Sequence, residues 1–183
     1  MGMFDFIAGA VSILLGISAA HLLSAMRDVV APRRRDWLVV AWYAYLGYLH
    51  LLTWWSLFAT HAVISWNLLS FSLVMAVPGF LYLATSTFIA ASPSSEITWS
   101  KGFERIRPWF FVFYGLFILA SAVRETILLD RPLLSKANIM DSISILNSVV
   151  GASVSKRQVQ IFVVSLEIGL AIIVSAARFY GYR

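Results

Sequence analysis

The strongest constraint in this sequence is a series of long apolar runs with few charged residues that recurs along the chain. Each run approaches the roughly 20 residues with which an α-helix crosses the hydrocarbon core of a bilayer. The 183 residues are 60% hydrophobic and 13% charged, whereas soluble domains have about 45–50% apolar and about 25% charged residues. A water-soluble fold of this size could not bury so much apolar surface. The sequence therefore predicts an all-α integral membrane protein.

Six such runs predict a polytopic bundle of about six transmembrane helices that forms one domain, residues 1–183. The expected spans are 4–26, 37–60, 66–91, 109–129, 137–155 and 159–179. Basic residues follow the first run instead of preceding it, which favours an uncleaved span over a secretory signal. The longest connection, 92–108, contains Trp99 and Phe103 four residues apart. This spacing predicts a short helix at the membrane interface.

Lysine and arginine are unevenly divided between the two sides that six spans create. One side holds nine of the 14 basic residues and the other holds five, which places the first side in the cytoplasm and both termini outside. If residues 137–155 were an external loop, the division would be seven against seven. The net charge of +5 is thus a topology signal. The expected partner is the lipid bilayer of a bacterial or archaeal cytoplasmic membrane, with no nucleic acid partner.

The span 137–155 differs from the others because its polar and small residues follow one helical face. The stripe advances in steps of three and four residues and consists of Asp141, Ser144, Ser148 and Gly151. One interpretation is close helix packing, which small residues favour in membranes. The other is that the stripe lines a water-filled cavity or pore, in which a carboxyl group would be chemically active.

The first span carries a second pattern, a small residue at every fourth position. This ladder consists of Ser12, Gly16, Ala20 and Ser24. Small residues let two membrane helices approach closely, and the ladder contains no ionisable group. It therefore predicts helix packing, either within one chain or between the chains of a homo-oligomer.

Glu167 is the ionisable residue expected closest to the middle of the membrane. It lies ten residues after Arg157 and eleven before Arg178, which is about 15 Å from each end of the span. Charged groups at this depth are costly and usually face a protein interior or a water path. Two interpretations remain open: a structural hydrogen bond to a neighbouring helix, or a titratable group that transfers protons or coordinates a cation.

A second group of ionisable side chains is expected nearer the outer surface. By helical rise, Arg124 and Glu125 of the fourth span and Asp141 of the fifth lie at similar depth, in the outer part of the bilayer. His50 lies in the same half of the membrane. Arg124 could neutralise Asp141 as a structural ion pair. Alternatively, Glu125 and Asp141 form a vestibule that attracts cations.

His21 and His50 raise the question of a haem group, because both lie within spans. Their expected depths differ by roughly 10 Å, which disfavours one iron bound by both rings. The chain has no Cys, and it has no Walker, Gly-x-Ser-x-Gly or His-Glu-x-x-His motif. The sequence therefore predicts no cofactor, no metal site, no catalytic residue and no enzymatic activity.

These features favour a small channel or transporter for protons or small cations. Glu167 would be its titratable site, with His50, Asp141 and Glu125 along an outer approach. A channel built from so short a chain is expected to be a homo-oligomer. The first alternative is a structural or accessory membrane subunit without transport activity. A weaker alternative is a haem- or lipid-binding membrane enzyme that uses His21 or His50.

The charge bias predicts a topology that single-cysteine labelling can test, because the chain has no Cys of its own. A membrane-impermeant maleimide added to intact cells should modify Arg183→Cys and spare Lys156→Cys. Modification of Lys156→Cys with protection of Arg183→Cys would overturn the topology.

Overall fold

The structure, a computed structural model, describes residues 2–31, 36–62, 66–91, 98–132 and 135–181. In these ranges the chain forms six α-helices, which confirms the all-α class. They are α1 Met3–Val30, α2 Trp37–Leu57, α3 Leu68–Ile89, α4 Trp99–Leu128, α5 Lys136–Ser153 and α6 Arg157–Gly181. A 3-10 turn, Phe58–Ala62, follows α2. Arg33, Arg34, Arg35 and Arg183, which contribute to the topology prediction, lie outside the described residues.

Four helices, α1, α3, α4 and the part of α6 up to Ala176, are long and apolar enough to cross a membrane. They give the chain the character of a multi-pass membrane protein. The other two helices are not among these four; α2 contains several Trp and Tyr residues and one His, and α5 contains Asp, Asn and Ser residues. Each of these two helices packs against at least two other helices of the bundle. Their role as membrane spans remains a prediction.

Helix α4 begins at Trp99, ten residues before the expected span 109–129. Trp99 and Phe103 therefore lie on the same helix as that span, instead of on a separate interfacial helix. Both side chains are buried, and the indole N–H of Trp99 donates to the backbone carbonyl of Asp28 at 3.0 Å. These contacts tie the start of α4 to the end of α1.

The six helices form a closed ring in the order α1, α3, α4, α5, α6 and α2, and α2 also contacts α3 and α4. Trp42 of α2 is fully buried and packs edge-on against three rings of α4. The ring centroids lie 5.1 Å away for Phe110, 5.3 Å for Phe111 and 5.8 Å for Tyr114. Such pairs stabilise the contact beyond the burial of their area. These four side chains are called the aromatic layer below.

Helices α4 and α5 approach closely at two glycines. A Cβ atom on Gly115 would lie 2.7 Å from Ser148 Oγ, and one on Gly151 would lie 2.5 Å from the Phe111 ring. Ser148 and Gly151 belong to the polar stripe of α5. This part of the stripe is therefore a site of close helix packing, as small residues in membranes permit.

The ladder of small residues on α1 points away from the rest of the chain. Gly16, Ala20 and Ser24 are exposed and Ser12 is half-buried. A Cβ atom on Gly16 would meet nothing within 4 Å. The buried face of α1 is a different one, which includes Ile7, Val11, Leu15, Ser18 and Leu22. Within the described part of the chain the ladder does not mediate close packing, and its use between chains remains a prediction.

Gly151→Ala should destabilise the bundle, because the added methyl group would overlap three atoms of the Phe111 ring at 2.5 to 2.8 Å. We expect the free energy of unfolding to fall by about 1–3 kcal/mol, as in other overpacked cores, measured by denaturant unfolding in detergent. Gly16→Ala is the matched control. Its methyl group enters open space, and Ala favours a helix by about 0.5–1 kcal/mol over Gly. Equal effects of the two substitutions would contradict the close α4–α5 packing.

Candidate functional site

The polar face of α5 is directed toward the bundle interior. Ser135 accepts the backbone N–H of Asn138 at 3.1 Å and so caps the first turn of the helix. Large apolar side chains are exposed on the opposite face: Ile139, Ile143, Leu146, Val149 and Val150. The buried residues are Ser144, Asn147, Ser148 and Gly151. Because buried polar groups need hydrogen-bond partners, their polar atoms must find them inside the protein.

Glu167 of α6 lies in this interior and is completely buried. Among the described residues, four side chains donate hydrogen bonds to its carboxylate. Oε2 accepts the hydroxyls of Tyr114 at 2.5 Å, Ser144 at 3.0 Å and Tyr45 at 3.2 Å. Oε1 accepts the side-chain amide of Asn147 at 2.7 Å. Since the donors come from α2, α4 and α5, the carboxylate joins four of the helices.

The two oxygens of this carboxylate have chemically different surroundings. The amide nitrogen of Asn147 can only donate, and it also donates to the Val163 carbonyl at 3.0 Å, so Oε1 is held as an acceptor. The three hydroxyls around Oε2 can each donate or accept. The Tyr45 hydroxyl already lies 3.0 Å from that of Tyr114. If Oε2 carries a proton, only one of these three hydroxyls has to rotate, so that its oxygen accepts the hydrogen bond from Oε2.

A cavity of about 100 Å³ lies on one side of this carboxylate, between α2, α4, α5 and α6. Tyr45 and Ser144, which both bond Oε2, line this cavity, as do Glu125 and Asp141 farther along their helices. The cavity is partly open, and it is called the buried cavity below only because it lies between the helices. Other hydroxyl groups along its wall belong to Thr53, Ser56 and Ser121. Because a water molecule occupies about 30 Å³ in the liquid, the buried cavity can hold a few of them beside polar partners.

Four charged side chains meet at the end of the buried cavity that the charge bias predicts to be extracytoplasmic, called the outer end below. Arg131, in the loop after α4, bonds the carboxylate of Glu125 and lies 3.3 Å from Asp141 Oδ2. Arg124 lies 3.1 Å from Glu125 Oε1. The sequence left open an ion pair of Arg124 with Asp141 or a vestibule of Glu125 and Asp141. The structure places Arg131 beside Asp141 and Arg124 beside Glu125. The two arginines neutralise the acidic pair, which weakens the expected attraction of cations.

The aromatic layer fills the space on the other side of Glu167. Beyond it, at the opposite end of the bundle, lies a basal cavity of about 60 Å³. Its charged and amide side chains are those of Asp36, Glu104, Arg107, Arg157 and Gln160. Asp36 accepts two hydrogen bonds from Arg157, at 2.9 and 3.0 Å. Burial raises the pKa of Asp36, but the bonds from Arg157 and the backbone N–H of Leu38 outweigh burial and hold the pKa below its ordinary 3.8.

The structure places His50 at the contact of α1 and α2, whereas the sequence had placed it on the outer approach. Its Nδ1 lies 2.8 Å from the Leu46 carbonyl and therefore carries the hydrogen, while Nε2 lies 2.7 Å from the Ser18 hydroxyl. His21 is exposed and lies 3.5 Å from the Ser86 hydroxyl of α3. The two rings thus face different partners, and both nitrogens of His50 are already engaged, which does not favour a haem site between them.

Sequence reasoning missed three of the four donors to Glu167, namely Tyr45, Tyr114 and Asn147. For Asn147 the signal was present, because it lies three residues after Ser144 and so shares the stripe. For the tyrosines the signal was their position well inside predicted spans, where a hydroxyl group needs a partner that lipid cannot supply. The identity of that partner depends on which helices are neighbours.

Tyr114→Phe should lower stability, because it removes a hydroxyl that donates to the buried Glu167 side chain at 2.5 Å. A polar contact between membrane helices contributes about 0.6–2 kcal/mol. Tyr43→Phe is the matched control, since its hydroxyl donates to the Leu22 carbonyl at 3.1 Å. In double-mutant cycles with Glu167→Gln, unfolding in detergent should show coupling of at least about 0.5 kcal/mol for Tyr114 and none for Tyr43. Strictly additive effects of Tyr114→Phe and Glu167→Gln would contradict the contact.

Comparisons of this chain with protein family models, with curated proteins and with solved structures find no match in any of the three. What the site does is therefore inferred from its own chemistry. That chemistry consists of a buried carboxylate, a cavity with both polar and apolar walls on one side of it and an aromatic layer on the other.

Proposed function

We propose that this protein is a small membrane channel or transporter for protons or small cations, with Glu167 as the titratable site at the middle of the membrane. One observation carries the proposal. Glu167 is fully buried, yet its Oε2 is bonded by Tyr45 and Ser144, two residues that line the buried cavity. Ionisable groups at membrane depth are commonly part of ion or proton routes.

The contacts of Glu167 favour a proton over a larger cation. Both carboxylate oxygens already accept hydrogen bonds, so a cation would have to displace donors from a fully packed position. A proton needs almost no space, and any of the three hydroxyls around Oε2 can turn to accept it. Ser144 connects Oε2 to the buried cavity directly, so that water in the cavity can exchange a proton with Glu167.

The aromatic layer favours a transporter over a continuously open channel. Trp42, Phe110 and Phe111 are at most 1% exposed, so a proton can pass beyond Glu167 only after these side chains rearrange. The basal cavity lies on the far side and would receive it. An approach to the central site from one side at a time is the defining property of alternating access.

We also propose that the chain associates with further copies of itself through α1. The ladder of Ser12, Gly16, Ala20 and Ser24 lies on the outside of the ring, and small residues let the helices of two copies approach closely. The lipid bilayer covers the remaining apolar surface.

A second candidate function is that of a structural or accessory membrane subunit. The completeness of the hydrogen bonds to Glu167 favours it, because donors on α2, α4 and α5 fix these helices against α6 without any proton movement. Polar contacts of this kind between membrane helices each contribute about 0.6–2 kcal/mol. On this view Glu167 holds the bundle together and transports nothing.

Glu167→Gln tests the proposal, because Gln keeps the shape and much of the hydrogen bonding but cannot titrate. In liposomes with an imposed pH gradient and a pH-sensitive dye, we expect Glu167→Gln to abolish proton flux while the protein remains assembled. Asp28→Asn, which removes an exposed carboxylate, should leave the flux unchanged.

The two candidate functions differ in their response to a second variant. For a structural subunit, Glu167→Leu should weaken assembly, Glu167→Gln should change little, and the parent protein should show no flux. An active parent protein whose flux and pH response survive Glu167→Gln would contradict a proton route through this carboxylate.

A further inference from the structure

A second and larger space lies beyond the outer end of the buried cavity. This outer vestibule has a volume of about 720 Å³ and lies between the end of α2, the turn Phe58–Ala62 and the loop after α4. Aromatic and charged side chains both contribute to its lining, among them Trp55, Phe58, His61, Asp130 and Arg131. Ser56 and Glu125 line both the outer vestibule and the buried cavity. The boundary between the two spaces therefore runs through these two side chains.

Arg124 bonds both residues of this boundary. Its Nη2 donates to Ser56 Oγ at 3.2 Å and to Glu125 Oε1 at 3.1 Å, which links α2 to α4. Arg124 and Glu125 are only 2% and 6% exposed. A buried ion pair persists when further hydrogen bonds satisfy its remaining atoms, and Ser56 supplies one of these bonds.

Arg131 completes the boundary between α4 and α5. It bonds Glu125 Oε2, and its Nη1 lies 3.3 Å from Asp141 Oδ2. The backbone brings it there because Asp130 has a φ of 48°, a left-handed conformation that reverses the chain at the end of a helix and that Asp tolerates better than most residues. The N–H of Arg131 then donates to the Glu125 carbonyl at 3.3 Å.

We propose that Arg124, Glu125, Arg131 and Asp141 form an outer gate that closes the buried cavity to the outer vestibule. The gate joins three helices through side-chain hydrogen bonds, so it opens when partners exchange and needs no helix to unfold. Arg131 is the part suited to move, because a loop carries it and its side chain is 18% exposed. The closed gate separates the cavity beside Glu167 from the outer vestibule, and the aromatic layer lies on the other side of Glu167. What the gate controls rests on the proposed function.

Single introduced cysteines can test the outer gate in detergent-solubilised full-length protein, since the chain has no Cys. Ser121→Cys reports on the buried cavity and Ala59→Cys on the outer vestibule; a charged, water-soluble methanethiosulfonate is the probe. Ser121→Cys should react much more slowly than Ala59→Cys. Adding Arg131→Gln should raise the Ser121→Cys rate at least about tenfold, which corresponds to about 1.4 kcal/mol, and leave the Ala59→Cys rate unchanged. Arg131→Lys, which keeps the cation, should have a smaller effect.

Two results would overturn the outer gate. One is an equal rate for Ser121→Cys and Ala59→Cys while Arg131 is present, and the other is a Ser121→Cys rate that Arg131→Gln does not change. If Arg131→Gln prevents folding, as judged by gel filtration, Asp141→Asn can replace it, because it alters the other partner of the same contact. The Ser121→Cys rates with and without Asp141→Asn are then compared. The measurement involves no transport. The labelling result can therefore contradict the outer gate without contradicting proton flux through Glu167. Equally, an absence of flux would not contradict the gate.

Discussion

A carboxyl group inside a bilayer is costly unless the protein supplies the hydrogen bonds that water would have made. Glu167 receives them from three other helices, and much of the bundle follows from this requirement. Tyr45, Tyr114 and the polar face of α5 must all point at one position, which fixes how α2, α4 and α5 are rotated about their axes. The faces left on the outside of the bundle are then the apolar ones, such as that of Leu146 and Val149 on α5.

The polar stripe of α5 shows that one helical face can serve two purposes at different depths. Asp141 and Ser144 border the buried cavity, whereas Ser148 and Gly151 pack against Gly115 and Phe111 of α4. Close packing is therefore realised at one end of the stripe, and the other end lines a cavity whose filling with water stays a prediction. The change occurs near Asn147, the residue that bonds Glu167 Oε1.

Properties that depend on periodicity or on total apolarity could be predicted from the sequence. They include the all-α class, the inward orientation of the α5 stripe and the burial of Glu167 within a helix. Properties that depend on which helices are neighbours could not. Arg131 reaches Glu125 only because the chain reverses at Asp130, and His50 bonds Ser18 because α1 happens to lie beside it. Counting residues gives position along a helix, but rotation and neighbours depend on contacts between distant parts of the chain.

For the proposed proton route, the aromatic layer would also determine where a membrane voltage acts. If the proposed outer gate opened, water in the buried cavity would carry the potential of the outer solution inward, and most of the voltage would fall across the apolar layer. That layer is about 10 Å thick, because Gln160 precedes Glu167 by seven residues on α6. Moving one charge through the full voltage changes its free energy by about 2.3 kcal/mol per 100 mV. The rate at which a proton leaves Glu167 through the layer would thus depend on the voltage. The rate at which a proton reaches Glu167 from the outer side would depend on it very little.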